Sequence, residues 1–208
     1  MCTEIAVITG DIMGSQRLSI ERWMIVLKRT LSLFGEEGSV WELHRGDAFQ
    51  LLLSDPLIAF AAGFRIKAEL IAGAACNVRL AIGIGKCSYR AVRVGESSGS
   101  AFVRSGALLD SLEDRHMTMA VASDWSEWDE RTNASLALAA IIIDRWLPNY
   151  ARASACAMAN PELNQAGLAN ELKLAQSTVS ERLSRAHYKA LMAYEANVRA
   201  QLEVQLTQ

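Results

Sequence analysis

Few residues in this chain announce special chemistry. The four cysteines (Cys2, Cys76, Cys87, Cys156) are scattered, without CxxC or Cys/His spacing. That argues against a disulfide frame and a cysteine-ligated zinc, and for reduced thiols. Of the three histidines, His116 and His187 have no acid or cysteine at usable spacing, so no nucleophilic triad is readable. Neither sign of charge dominates: the formal net charge is -2, so no global pull toward nucleic acid is expected. Long apolar runs are missing too. The longest, Ala134 to Ile143, contains a serine and is too short to span a bilayer. Glu4 and Asp11 interrupt the region where a signal peptide would need its apolar core, so a cytoplasmic protein is expected. There is no internal repeat and no low-complexity tract.

What is present is an ordinary globular composition, 51% hydrophobic and 21% charged over 208 residues. Residues 4–9 read as a strand buried on both faces. Trp23 to Phe34 carry apolar residues at helical spacing, with Ser19 as a partial cap. Val40 to Leu53 reads as a hairpin, and Asp55-Pro56 as the start of a second helix running to Gly73. Val78 to Gly85 is a further strand, and Val92-Arg93-Val94 a short partner strand. A helix from Ala101 to about Glu113 and a strand from Met117 to Ala122 follow. This order predicts an α+β domain of ferredoxin-like kind over residues 1–123.

After Ser123 the strand signals stop and alanine rises. A helical connector is expected over 124–160, with Thr132-Asn133 capping a helix from Ala134 to Trp146. Trp125, Trp128 and Trp146 are expected in packing between the parts. Residues 161–208 read as all helical, with a helix at Gln165–Leu172 and a turn at Lys173-Leu174-Ala175. A long helix is expected from Ser177, persisting toward Leu202.

Two acidic turns stand out. One ends the first strand, at Thr9-Gly10-Asp11. The other is the hairpin turn Arg45-Gly46-Asp47, where Gly46 supplies backbone freedom. Two carboxylates on adjacent strand ends suit a metal-ion pair, with Mg²⁺ or Mn²⁺ as the candidate. Two other readings stand beside it. Each aspartate can satisfy its own turn, or His44 and Arg45 can pair with Asp47 without metal.

The segment Leu163 to Leu183 has helix-turn-helix spacing. Leu168, Ala169 and Leu172 face inward on the first helix, Leu174 fills the turn, and Val179 and Leu183 close the core. Gln176, Ser177, Thr178, Ser180, Glu181 and Arg182, with Arg185, lie where a recognition helix reaches DNA. From residue 160 onward five bases face five acids, fewer bases than a free DNA-binding module carries. A dimer that doubles the Arg182/Arg185/Lys189 face would compensate. The alternative is a helical hairpin that packs on the first domain or a partner. The run Gln-Ser-Thr-Val-Ser-x-Arg-Leu at 176–183 resembles the recognition helix of sigma-factor region-four-like regulators.

Gly10 to Ser15, Arg45 to Phe49, Arg79 to Gly85 and Gly99 to Leu109 together resemble the SatD family in order and spacing. That resemblance implies an N-terminal domain like the class III nucleotide cyclase and diguanylate cyclase domain, a C-terminal helix-turn-helix and a homodimer. It places the cyclase metal aspartates on Asp11 and Asp47. It implies nucleotide contacts at Ile12, Gly14, Ser15, Arg45 and Glu96. The cyclase base-reading lysine falls on Leu43, the transition-state asparagine on Val103 and its arginine on Ala107. Each lost donor of that kind typically lowers rate by ~10²–10³. The resemblance therefore implies a DNA-binding regulator with a degenerate cyclase-like domain that binds nucleotide or metal or serves as a dimerisation scaffold. The rival is a divergent cyclase or nucleotide-processing enzyme, in which Arg45, Arg90, Arg93 or Arg104 would have to replace the lost donors.

Overall fold

A computed structural model describes residues 4–44 and 46–207. Its fold is mixed α+β. The apolar run near the start forms β1 (Glu4–Ile12). The hairpin strands are β2 (Trp41–His44) and β3 (Ala48–Leu53), turned through Gly46 at φ 91°. They are followed by β4 (Val78–Lys86) and β5 (Met119–Ala122). The sheet order is β2-β3-β1-β4-β5. Every neighbouring pair is antiparallel except β4 and β5, which run parallel.

Helix α1 (Ile20–Leu31) precedes the hairpin, α2 (Ala59–Ala74) follows it, and α3 (Ser100–Leu112) joins β4 to β5. Alternation along the strands sorts the two faces. Ala6, Ile8, Phe49, Leu51, Leu80, Ile82 and Val121 pack with α1 and α2 in the main core. Ile5, Val7 and Leu52 point the other way, against Ala101 and Phe102 of α3. Gly83 lets α3 come that close: a Cβ there would collide with the Ala101 carbonyl and the Ser105 amide.

The remaining helices are α4 (Ser126–Asp144), α5 (Pro148–Ala159), α6 (Gln165–Leu172), α7 (Gln176–Arg185) and α8 (Tyr188–Thr207). They do not stand apart from the sheet. Trp128 meets Phe60 of α2 edge to face at 6.2 Å, and Tyr194 of α8 stacks on Phe64 at 6.3 Å. Leu191, Val198 and Leu202 of α8 belong to the main core. Helix α5 is a shared wall. Its Ala151 and Ala155 join the main core, while Ala153 and Ala157 join a second core with α6 and α7. The alanine enrichment thus allows close approach on both sides of one helix. Among the described residues, no helix is long and apolar enough to cross a membrane.

Three local expectations are corrected. Val92-Arg93-Val94 is not a strand. The chain makes a 3₁₀ turn at Val94–Glu96, and ladder pairing in this loop is a single bridge between Tyr89 and Ser98. The first connector helix starts at Ser126, not after Thr132-Asn133. Asn133 sits inside α4, where its side chain accepts from the Val121 amide and donates to the Val121 carbonyl, both at 2.8 Å. A cap-type residue has become a clasp on the outer edge of β5. Asn133→Ala would leave both Val121 groups without that partner. We expect a loss of about 1–3 kcal/mol in urea unfolding and faster exchange of the Val121 amide.

The third correction concerns the long C-terminal helix. It breaks at His187, whose φ is 52°. Trp146 donates its indole N–H to the Ala186 carbonyl at 2.9 Å, holding the break against α4 and α5.

Candidate functional site

Thr9 and Asp11 share one side of β1, the side that faces α3. The registers carry this side across the sheet. Asp11 lies opposite Ala48 on one flank and Arg79 on the other, and Ala48 lies opposite His44. The next row holds Glu42, Gln50, Thr9 and Ala81. The end of the sheet thus carries a half-buried polar quilt under α3. Thr9 donates to Ser105 of α3 at 2.8 Å.

The charged centre of this quilt is Arg79. Its Nε and one terminal nitrogen reach the Asp11 carboxylate at 3.0 and 2.6 Å. Its other terminal nitrogen reaches Glu113, just past α3, at 2.7 Å. Arg79 and Asp11 are each about 20% exposed at the side chain, so the bidentate pair is well sheltered. The two carboxylates hold the Arg79 guanidinium above its ordinary pKa, with the Asp11 hydrogen bonds contributing most. Asp47 stands on the adjacent strand end, as expected. Its carboxylate accepts from the Ser15 hydroxyl, and its carbonyl accepts from the Ile12 amide at 3.2 Å.

These residues fit a divalent ion poorly. Arg79 already supplies the positive charge that a metal would bring to Asp11, and Asp47 is engaged with Ser15. Among the described residues, no group of three or more His, Cys, Asp or Glu side chains is placed to hold a metal. Arg79→Met should leave Asp11 without its charge partner and lower stability by about 1–3 kcal/mol near neutral pH. Millimolar Mg²⁺ should leave the parent's thermal midpoint unchanged, which a melting scan of both proteins would check.

Of the implied nucleotide contacts, Ser15 stands at the acidic strand ends, on Asp47. Ile12 is buried in the main core, so its side chain faces away from Asp11. Gly14 is exposed in the left-handed region at φ 66°. Glu96 is exposed on the 3₁₀ turn beyond Gly95, which lies over His44 and Glu42. Arg45 lies outside the described residues. Leu43 packs against the main core, on the face opposite Asp11, so the position of the base-reading lysine does not face the acidic pair. Val103 is 70% exposed on α3. The candidate replacement arginines are engaged elsewhere: Arg104 with Asp124 and the Ile84 carbonyl, Arg93 with Glu42, and Arg90 with the Ser39 carbonyl.

Sequence reasoning missed Arg79 as the partner of Asp11, Glu113 as the second partner of Arg79, and Thr9 as the link to Ser105. The alternation of β1 puts Thr9 beside Asp11 on one face, and that much was readable. Pairing Asp11 with a residue 68 positions away required the register.

At the other end of the chain, Asn164 caps α6 by accepting from the Ala166 and Gly167 amides. Lys173 takes a left-handed conformation at φ 55° and closes α6, and α7 begins after Leu174 and Ala175. Leu168, Ala169, Val179 and Leu183 are buried together with Ala153 and Ala157 of α5. Gln176, Ser177, Glu181 and Arg185 are exposed on α7, and Thr178, Ser180 and Arg182 are half-buried. Arg185 is held by Glu181 at 2.9 Å, one turn back on the same helix. Among the thiols, Cys76 is buried and its pKa is pushed up to about 11 by that burial, which leaves it unreactive.

Fold and sites together define a mixed α+β protein with a salt-bridged polar sheet end and a small helical unit sharing one wall with the main core. No protein-family model, curated protein or solved structure matches the chain.

Proposed function

We propose that the chain is a DNA-binding regulator that presents α7 to a major groove, with the sheet unit as its scaffold. The carrying observation is the geometry around α7. Two short helices meet across a three-residue turn with Lys173 in the left-handed region, and their apolar sides share a core with α5. The exposed side of α7 begins with Gln176 and Ser177, residue types that hydrogen-bond phosphates and base edges. This is what a helix-turn-helix needs. The sheet unit supports the ferredoxin-like, cyclase-like part of the reading. Its order β2-β3-β1-β4 is antiparallel, with one helix between β1 and β2 and one between β3 and β4. The resemblance to the SatD family belongs to the same proposal.

The Arg79–Asp11–Glu113 cluster favours a scaffold over a metal–nucleotide centre, since the acid is already neutralised from within. A homodimer completes the reading. One α7 offers Arg182 and Arg185, the latter paired to Glu181, and two copies double that weak basic face.

The test is selection of duplex DNA from a randomised pool, followed by anisotropy titration. A recurrent sequence should be enriched, and its affinity should fall steeply as salt rises. No enrichment over the starting pool at low salt would remove the proposal.

A further inference from the structure

Helix α4 carries apolar residues on two opposite faces. Trp128, Leu136, Ala139 and Ile143 turn inward, into the main core. On the far side Ala134, Leu138 and Ile141 follow one another about a helical turn apart, so they form one stripe. Leu138 is 67% exposed and Ile141 48%. A lone exposed apolar side chain is ordinary. A stripe of them directly opposite a buried face is the pattern of a helix packed on both sides, so α4 lacks one of its partners.

The charges at the ends of the stripe say what that partner is. Glu130 lies toward its N-terminal end and Arg145 at its C-terminal end, both exposed. Neither forms an ion pair among the described residues. Arg131, beside Glu130, is already paired with Glu127. Glu130 and Arg145 are equally far along the chain from the Ala137–Leu138 peptide bond, and so are Ala134 and Ile141. Two copies of α4 laid antiparallel about a twofold axis at that bond bring Glu130 of each to Arg145 of the other. The same axis sets the small Ala134 against the large Ile141 and brings the two Leu138 side chains together. The stripe is therefore complementary to itself, as a twofold contact requires. A parallel pairing would set acid on acid and base on base.

We propose that the outer face of α4 is a dimer interface whose occupant is a second, antiparallel copy of this chain. It gives a surface to the homodimer of the DNA-binding reading and rests on that reading for its use. Its test contains no DNA, so the pairing can fail while α7 still binds a duplex. One helix pair buries less than the ~1,200 Å² of a standard interface, so the dimer Kd should be about 10–100 µM.

The full chain is followed by sedimentation velocity from about 5 to 500 µM, a range that brackets that Kd. It should pass from monomer to dimer. Leu138→Glu should raise the dimer Kd at least about 10-fold. Its circular dichroism, and its unfolding midpoint in dilute solution, should stay at the parent's values, because Leu138 is exposed in the single chain. Glu130→Arg and Arg145→Glu should each weaken the dimer by about 3-fold or more, and the two together should restore it to within about 2-fold of the parent. A chain that stays monomeric over the whole range would overturn the proposal. A dimer that Leu138→Glu leaves intact would also overturn it, by placing the contact on another face. So would a double exchange that recovers none of what the single exchanges lose, since antiparallel copies must pair Glu130 with Arg145.

Discussion

Replacing Lys67 with alanine should lower the unfolding free energy by about 3–5 kcal/mol, the largest single-residue effect we expect in this fold. Lys67 lies in α2, on a buried face otherwise made of alanine, glycine, phenylalanine, isoleucine and leucine, and its side chain is fully buried. Its ammonium donates to the Asn77 side chain at 2.9 Å and to the Val78 carbonyl at 2.8 Å, and pairs with Asp144 at 2.9 Å. Asp144 in turn accepts from Thr118 at 2.6 Å. One nitrogen therefore ties α2 to the start of β4 and to the end of α4. Burial pushes the Lys67 pKa below its ordinary value, and the Asp144 carboxylate opposes that shift.

Removing Lys67 leaves the half-sheltered Asp144 carboxylate without its countercharge and the Val78 carbonyl without the ammonium, while Asn77 keeps the Val78 amide and Asp144 keeps Thr118. The penalty is mainly theirs rather than the lost ion pair's. Urea unfolding of Lys67→Ala, Asp144→Leu and the double variant separates these terms. The double variant should be more stable than Lys67→Ala alone, because it removes the stranded charge as well. If the double variant loses the sum of both single effects, Lys67 and Asp144 do not act as a pair.

The second large effect is expected at α7. Ser177→Glu with Arg182→Glu should weaken specific DNA binding by at least ~10²-fold, read by anisotropy against the selected duplex. Ser177 is exposed at the start of the helix, and Arg182 is half-buried one and a half turns on. Two carboxylates at these positions repel the phosphate backbone and remove a donor. Neither residue belongs to the Leu168/Ala169/Val179/Leu183 core, so circular dichroism and the unfolding midpoint should change little. Val179→Asp is the contrasting variant: it places a charge in that core and should unfold the α6–α7 unit. A double variant that binds the selected duplex as tightly as the parent would mean that α7 is not the contact surface.

The sequence by itself determined the local elements. Period-two and period-3.6 patterns placed β1, the hairpin, α2 and β4 within a few residues. Turn chemistry put a hairpin turn at Gly46, and helix-turn-helix spacing ended α6 at Leu172 with the turn beginning at Lys173. The positions of Asp11 near the end of the first strand and of Asp47 at the hairpin turn also followed from local pattern. These features depend on neighbours within a turn or a pleat, so the chain carries them openly.

Only the tertiary structure decided the partners. Apolar periodicity says which face turns inward, not what it meets. Arg79 was visible as a strand residue, but only the β1–β4 register sets it on Asp11. Lys67 reads as an interruption in an apolar helix until Asn77, Val78 and Asp144 surround it. Asn133 looks like a cap until β5 lies beside it, and the C-terminal helix looks continuous until Trp146 reaches Ala186. The acid at the end of the first strand, Asp11, is therefore neutralised by Arg79, while Asp47 of the hairpin turn is held by the Ser15 hydroxyl.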